Sequence, residues 1–183
     1  MTEPYPPPGE IGEVLFSGEA IAARVAELGR RISEDFVGRA PLIVGVLKGS
    51  ALFVSDLVRA ISGPVGLDFL AVSSYAEATK SSGVVKILKD LDHDIAGRPV
   101  ILVEDIIDSG LTMQFLVELL QARQPSELRT CSLLVRTDVD GADLSPPPDY
   151  IGFRIPPAFV VGYGLDVAQR YRNLPYIATY VGD

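Results

Sequence analysis

The chain has 183 residues, of which 48% are hydrophobic and 22% charged, and its net charge is −8 at pH 7. This length suits one domain with a sizeable core, because two half-sized domains would each bury little apolar surface. The acidic balance excludes a general attraction to nucleic acid or to an anionic membrane, so local groups must hold any anionic ligand. No apolar run approaches the roughly 18 residues of a membrane span, and no signal-peptide pattern is present, so we expect a soluble, cytoplasmic protein with no membrane partner.

The first predicted segment is a flexible, proline-rich tail over residues 1–11, because Tyr5-Pro6-Pro7-Pro8-Gly9 cannot donate a run of backbone hydrogen bonds. We expect residues 12–183 to form a single domain. Ser17 is typical of a helix N-cap and precedes a helix that should end before Gly38. The apolar residues of that helix recur at the spacing of one face: Ile21, Val25, Leu28 and Ile32.

Two segments have the pattern strand, loop, helix. Residues 42–47 form the first strand, followed by Lys48-Gly49-Ser50 and a helix that reaches residue 61. The second strand covers residues 100–103, breaks at Glu104, and leads to a helix over residues 113–120. Further strands are predicted at residues 65–73, 84–88, 133–135, 150–153, 159–161 and 176–181. Strands alternating with helices predict an α/β fold with a doubly wound, mainly parallel sheet, whose ligands bind beyond the carboxyl ends of the strands.

The segment over residues 103–112 carries the candidate chemistry. Ser109, Gly110 and Thr112 can surround a phosphate with backbone N–H groups and hydroxyls at a helix N-terminus. A purely structural turn between strand and helix would also favour Asp, Ser and Gly. Three carboxylates lie beside this loop: Glu104, Asp105 and Asp108. They would repel a phosphate unless hydroxyls or a metal intervene, and a ribose phosphate with magnesium meets both needs.

This hydrophobic strand, its two acidic residues and its Asp-Ser-Gly loop resemble the binding motif of the type I phosphoribosyltransferase family. The chain is similar to the hypoxanthine-guanine phosphoribosyltransferases over residues 12–181. That fold adds a small hood, made by the N- and C-terminal segments, to the sheet. The resemblance implies purine salvage, in which the phosphoribosyl group of phosphoribosyl pyrophosphate passes to hypoxanthine or guanine and gives IMP or GMP and pyrophosphate.

The resemblance also implies how phosphoribosyl pyrophosphate is bound. The loop that holds the 5′-phosphate consists of Ile107, Asp108, Ser109, Gly110, Leu111 and Thr112. Lys48, Gly49 and Arg172 would meet the pyrophosphate, with a cis peptide bond before Lys48. Ser74 and Tyr75 would begin a flexible loop that covers the site. The cofactor would be Mg²⁺, held by Glu104, Asp105 and Asp166, of which the first two would also bind the ribose hydroxyls.

On the purine side, the resemblance implies that Phe159 stacks on the base and that the Val160 backbone reads its edge. Asp108 would be the general base. Arg136 stands where the family usually has a lysine that contacts the purine 6-oxo group. An arginine can donate to the same oxygen, but it is longer and planar, which leaves the preference between hypoxanthine and guanine open.

Several alternatives stay open at this point. A regulator of the same fold could keep the phosphoribosyl pyrophosphate site and bind nucleic acid. A third possibility is a transferase that prefers xanthine or adenine. Relatives imply a homodimer or a homotetramer. His93, the single histidine, lies among aspartates that could suggest a metal cluster. No complete ligand pattern follows it, so we predict a solvated turn there.

Overall fold

The computed structural model describes residues 9–74, 85–137 and 147–182. Within these ranges, none of the helices combines the length and the apolar character that crossing a membrane requires. The elements in chain order are β1 (Gly9–Phe16), α1 (Gly18–Asp35), β2 (Leu42–Leu47), α2 (Ala51–Ala60), β3 (Gly66–Ser74), β4 (Val85–Lys89), β5 (Pro99–Ile107), α3 (Leu111–Gln121), β6 (Glu127–Arg136), β7 (Tyr150–Ile155), β8 (Val160–Val161) and β9 (Ile177–Gly182).

The larger sheet has six strands in the order β4-β3-β2-β5-β6-β7. All neighbours in it are parallel except β3 and β4, which pair as antiparallel strands. The predicted doubly wound, mainly parallel α/β fold is therefore confirmed. Strands β2 and β5 lie side by side, but the chain leaves β2 towards β3 and leaves β5 towards β6. This reversal is the topological switch point at which sheets of this kind bind ligands.

Two apolar layers cover the faces of this sheet. Successive residues of β5 alternate between them, as the period of a strand requires: Ile101 and Val103 pack with α1 and α2, whereas Leu102 packs with α3. Helix α1 begins where predicted, since the Ser17 hydroxyl accepts a hydrogen bond from the Ala20 N–H at 3.2 Å. The sheet is thus enclosed between helices, and its exposed carboxyl edge is left for polar side chains.

A second sheet of three antiparallel strands, in the order β1-β9-β8, forms the predicted hood from the two ends of the chain. Strand β1 was not predicted, and it begins at Gly9, so residues 9–11 lie in a strand and not in the expected tail. Its sequence contains two glycines and two glutamates and is mostly exposed. Its partner, β9, lies at the far end of the chain. Residues 1–8 lie outside the described ranges.

The predicted end of β5 at Glu104 was wrong, because the strand continues to Ile107. Pairing with β2 stops at Val103, whereas pairing with β6 continues through Glu104 to Ile107. The last residues of β5 therefore keep one neighbouring strand and have an open flank towards β2. Polar residues are tolerated at this flank because it borders a cleft.

Candidate active site

A cleft of about 430 Å³ opens at the carboxyl edge of the sheet, between the ends of β2 and β5. Its walls combine the strand ends with the segment between β7 and β9. The predicted site residues that line it are Lys48, Gly49, Glu104, Asp105, Asp108, Thr112, Arg136, Phe159, Val160, Asp166 and Arg172. Residues from five separate segments of the chain therefore meet at one place.

A smaller cavity of about 80 Å³ adjoins the cleft at the start of α3. It is lined by Ile107, Asp108, Ser109, Gly110 and Thr112 of the predicted phosphate loop, together with residues of β5 and α3. Gly110 has a φ of 78°, a left-handed conformation that L-residues with side chains seldom adopt. The turn it makes points the first N–H groups of α3 at the cavity, which suits an anion.

Two neighbouring carboxylates, Glu104 and Asp105, lie at the floor of the cleft. Glu104 is only 5% exposed. Burial raises its pKa to about 8, and the charge of Asp105 adds to this effect. Burial also raises the pKa of Asp105 to about 6, against backbone hydrogen bonds and the charge of Arg172, which lower it. In the described part of the chain no cation or hydrogen-bond donor pairs with the Glu104 carboxylate, so the pair is suited to a cation or to ribose hydroxyls.

The loop after β2 packs tightly against this floor. The peptide bond between Leu47 and Lys48 is cis, as the resemblance implied. A Cβ atom on Gly49 would lie 1.6 Å from Oδ2 of Asp105, so any side chain there would displace this carboxylate or the loop. The Ser50 hydroxyl is buried and donates to the Val46 carbonyl at 2.6 Å. The loop is thereby fixed beside the two carboxylates, while the Lys48 side chain is exposed to solvent.

An ion pair between Asp108 and Arg136 forms the opposite wall. Nη1 of Arg136 lies 2.7 Å from Oδ1 of Asp108, and Nη2 donates to the Ala158 carbonyl at 3.0 Å. The Nε atom of Arg136 is buried and has no hydrogen-bond partner in the described structure. The Asp108 side chain is 65% exposed and so remains accessible from the cleft. A hydrogen-bond donor and an acceptor are therefore presented side by side.

Phe159 adjoins this pair and is 52% exposed, although it is a large apolar residue. Its ring centroid lies 6.1 Å from that of Tyr180 at a tilted angle. Val160 follows in β8, where it pairs with Thr179 of β9. An exposed aromatic face at the rim of a cleft is suited to stacking on a flat heterocycle.

Arg172 is held at the other end of the cleft. Its Nη2 lies 2.6 Å from Oδ1 of Asp166, and its Nη1 donates to the Gly164 carbonyl at 2.6 Å. The second carboxylate oxygen of Asp166 accepts a hydrogen bond from the Gln169 N–H at 2.7 Å. Both oxygens of Asp166 are thus engaged within the protein.

Comparisons with known proteins agree with this geometry. The family described as "Phosphoribosyl transferase domain" matches residues 13–168. A hypoxanthine-guanine phosphoribosyltransferase of Mycobacterium avium is 52% identical over 94% of this chain and 87% of its own. The chain belongs to the hypoxanthine-guanine phosphoribosyltransferase family. The enzyme of that name from Bacillus subtilis is 48% identical over 92% of each chain. A crystal structure of a family member from Bacillus anthracis superposes with a TM-score of 0.86 at 44% identity, and covers 95% of this chain and 100% of that one.

Some residues that the family resemblance singled out are not placed in the cleft. Ser74 ends β3, and nothing is described of its side chain, whereas Tyr75 lies outside the described residues. Leu111 is 64% exposed at the start of α3 and lines neither cavity.

His93 is exposed in the loop after β4, in agreement with the predicted solvated turn.

The predicted metal ligands do not form a ready-made metal site. Over residues 9–74, 85–137 and 147–182, no group of three or more His, Cys, Asp or Glu side chains could hold a metal ion. Asp166 is tied to Arg172, and this leaves Glu104 and Asp105 as the pair of carboxylates without such a partner.

Sequence reasoning missed several residues of the cleft. Ala158 contributes only a carbonyl oxygen, which no side-chain pattern reveals. Leu165 lines the wall as an ordinary buried leucine. Gly164 was assigned no role from the sequence, although its φ of 101° and its two hydrogen bonds to Arg172 place it at the centre of that wall.

Proposed function

We propose that the protein transfers the 5-phosphoribosyl group of phosphoribosyl pyrophosphate to hypoxanthine or guanine, with release of pyrophosphate and formation of IMP or GMP. The observation that carries this proposal is the Asp108–Arg136 ion pair beside the exposed ring of Phe159. This purine-sized recognition face opens into the same cleft as a phosphate loop at a helix N-terminus. Membership of the family supports the same activity.

The phosphoribosyl half of the substrate fits the side of the cleft at the end of β5. The N–H groups and hydroxyls from Ser109 to Thr112 would take the 5′-phosphate. Glu104 and Asp105 would face the ribose hydroxyls. Arg172 and the backbone of Lys48 and Gly49 would meet the pyrophosphate, for which the fork geometry of arginine is well suited.

The purine half fits the opposite wall. Arg136 would donate a hydrogen bond to the 6-oxo group, and the neighbouring Asp108 carboxylate would accept the N–H of purine N7. Phe159 would stack on the ring plane, and the backbone of Val160 would read the remaining edge. A 6-oxopurine with a proton on N7 presents an acceptor beside a donor, which complements this pair.

Magnesium fits the carboxylate floor. Mg²⁺ prefers oxygen ligands and is usually held by one or two carboxylates together with substrate phosphates and water. Glu104 and Asp105 supply two carboxylates whose pKa values are raised chiefly by burial. We therefore propose these two residues as its protein contacts. Asp166 would lie near the ion but is paired with Arg172. The chemistry that bound magnesium supplies is neutralisation of charge on the leaving pyrophosphate.

The residues of the chain then have distinct tasks in the reaction. Purine N9 attacks ribose C1′, and the bond from C1′ to the pyrophosphate oxygen breaks. The Asp108 carboxylate takes the proton from N7 as positive charge develops on the purine. Arg172 and the amides of the loop at Lys48 stabilise the departing pyrophosphate. Positioning of the two substrates supplies much of the rate.

We also propose that the protein acts in the cytoplasm as a homodimer or homotetramer, which size-exclusion chromatography with light scattering would measure. The comparisons give no support to the regulator that binds nucleic acid. The net charge of −8 also opposes it.

A product assay tests the proposed function. Purified protein is incubated with phosphoribosyl pyrophosphate, magnesium and either hypoxanthine or guanine, and the products are separated by chromatography. We expect IMP or GMP and pyrophosphate in equal amounts, and no turnover in excess chelator. Failure to form either nucleotide would contradict the proposal. Salt-dependent binding of RNA or DNA by an inactive protein would favour the regulator instead.

A further inference from the structure

A tight turn at residues 162–165 has an unusual backbone. Gly162, Tyr163 and Gly164 have φ values of 101°, 49° and 101°. The turn is closed by reciprocal hydrogen bonds between Gly162 and Leu165 at 3.0 and 3.1 Å. Glycine adopts this region readily, but a bulky tyrosine seldom does and persists there only when its surroundings hold it. The conformation of Tyr163 therefore requires a structural cause.

Backbone hydrogen bonds from Tyr163 to Leu174 and from Gly164 to Arg172 hold the turn on one side, and a side-chain hydrogen bond holds it to helix α2. The Tyr163 hydroxyl donates to Oδ2 of Asp56 at 2.7 Å, and the tyrosine is 8% exposed. Burial raises the pKa of Tyr163, and the hydrogen bond to Asp56 raises it further, so the phenol stays protonated and remains a donor. Neither residue lines the cleft. The bond thus attaches the turn to the helix that follows residues 48–50, the loop proposed above to meet the pyrophosphate and called the pyrophosphate loop below.

The same turn presses on the pyrophosphate loop itself. A Cβ atom on Gly164 would lie 2.0 Å from the carbonyl oxygen of Gly49, so the two backbones are in direct contact. On its other side, the Cα atom of Gly49 faces the Asp105 carboxylate, which a Cβ atom there would meet at 1.6 Å. The Gly49 peptide is therefore held between the floor of the cleft and the turn.

We propose that the Tyr163–Asp56 hydrogen bond positions the pyrophosphate loop, with Tyr163 and Asp56 as positioning residues that do not touch the substrate. The bond fixes the turn on α2, and the turn fixes the Gly49 peptide whose amides face the pyrophosphate. The inference rests on the proposed function, because it assigns the Gly49 loop to pyrophosphate. Loss of the bond selectively weakens pyrophosphate binding, since Phe159 and Arg136 lie on the opposite wall.

The structure offers matched variants for the test. Tyr163→Phe removes only the hydroxyl, and Asp56→Ala removes its acceptor, whereas Asp56→Asn keeps an acceptor oxygen. Arg59 provides the control, because it forms an exposed ion pair with Asp56 at 3.8 Å that has no contact with the turn. Arg59→Gln removes this ion pair and leaves the hydrogen bond intact.

The experiment measures binding of pyrophosphate with magnesium by calorimetry, and the KM values for phosphoribosyl pyrophosphate and hypoxanthine. For Tyr163→Phe and Asp56→Ala we expect pyrophosphate affinity to fall about tenfold, the loss expected for one hydrogen bond to a charged acceptor. The KM for phosphoribosyl pyrophosphate should rise similarly, and that for hypoxanthine should stay within about twofold. Arg59→Gln should resemble the wild type, and Asp56→Asn should lose less affinity than Asp56→Ala because it keeps a neutral acceptor. The double variant Tyr163→Phe/Asp56→Ala should be no weaker than either single one.

Unchanged pyrophosphate affinity in both Tyr163→Phe and Asp56→Ala would overturn the inference, as would an equal loss of affinity for hypoxanthine. If Tyr163→Phe does not fold, Asp56→Ala decides, because the Asp56 side chain is 47% exposed and its removal leaves no buried cavity. The wild-type protein separates this inference from the proposed function. A wild type that makes no IMP would contradict the function, while the pattern of pyrophosphate binding would still support or overturn the positioning role.

Discussion

Substituting Gly49 with alanine should disable the pyrophosphate side of the cleft without unfolding the protein. The new Cβ atom would lie 1.6 Å from Oδ2 of Asp105, and contacts below 3.0 Å essentially never occur. The Asp105 carboxylate or the Gly49 loop must therefore move by at least about 1.4 Å, the difference between these two distances. Gly49 does not have a positive φ, so alanine meets no backbone penalty there.

A misplacement of about 1 Å can cost roughly 10²-fold in rate. We therefore expect kcat/KM for phosphoribosyl pyrophosphate to fall about 100-fold in Gly49→Ala. The KM for hypoxanthine should change little, because Arg136 and Phe159 are not displaced. The assay is steady-state formation of IMP, with each substrate varied in turn.

Gly97→Ala is the matched control. Gly97 has a φ of 71° and no atom within 4 Å of an added Cβ. It precedes β5, at the end of the sheet opposite the cleft. Alanine there should lower the free energy of unfolding by about 1–2 kcal/mol and leave the kinetic constants unchanged. An unchanged kcat/KM in Gly49→Ala would refute the assignment of this loop to pyrophosphate. An equal fall of kcat/KM in Gly97→Ala would mean that lost stability, and not a displaced loop, causes the fall in Gly49→Ala.

Three further predictions concern the two walls and the floor of the cleft. Asp108→Asn should retain binding of both substrates but lower kcat by roughly 10²–10⁴, the usual range for a lost general base. Single-turnover kinetics measure this, and a near wild-type rate would mean that Asp108 is not the general base. Arg136→Met should raise the KM of hypoxanthine and of guanine by similar factors while the KM of phosphoribosyl pyrophosphate holds, and unchanged purine kinetics would mean that another group reads position 6. Glu104→Gln should stabilise the ligand-free, magnesium-free protein increasingly as pH rises. Burial raises the Glu104 pKa from 4.5 to about 8, so the folded state binds this proton more tightly than the unfolded chain, and the stability that the proton confers is lost as pH rises through that range. Thermal unfolding from pH 5 to 8 measures this, and a difference in Tm between variant and wild type that does not change with pH would contradict the raised pKa.

The sequence carried enough information to predict the sheet and the loops at its edge. Apolar runs such as residues 42–47 alternate with helical periodicity, and the strand bounds Leu42–Leu47 agree with the prediction. The local sequence pattern failed to predict strands whose extent depends on pairing with a strand that is distant along the chain. Strand β1 has little apolar character and exists because β9 pairs with it, and the end of β5 is held by β6 after β2 has diverged.

The sequence predicted which residues line the cleft better than it predicted the contacts between them. The ion pair between Arg136 and Asp108 depends on the register of β5 against β6, which places Ile107 opposite Val135. The contact between Gly49 and Asp105 depends on how the backbones of two separate segments pack together, which the identity of either residue alone does not predict. The family resemblance implied that Asp166 is a metal ligand, but the position of Arg172 beside it emerges only in three dimensions.

The central claim is that the Asp108–Arg136 pair selects a purine with a 6-oxo group. Its most direct test is the wild-type kcat/KM for hypoxanthine, guanine and adenine at saturating phosphoribosyl pyrophosphate and magnesium. A guanidinium donor at 2.7 Å from Asp108 can serve a 6-oxo acceptor, but it opposes the 6-amino group of adenine. We predict efficient use of hypoxanthine and guanine, and a kcat/KM for adenine lower by about 10⁴. Adenine use within about tenfold of hypoxanthine would contradict this claim.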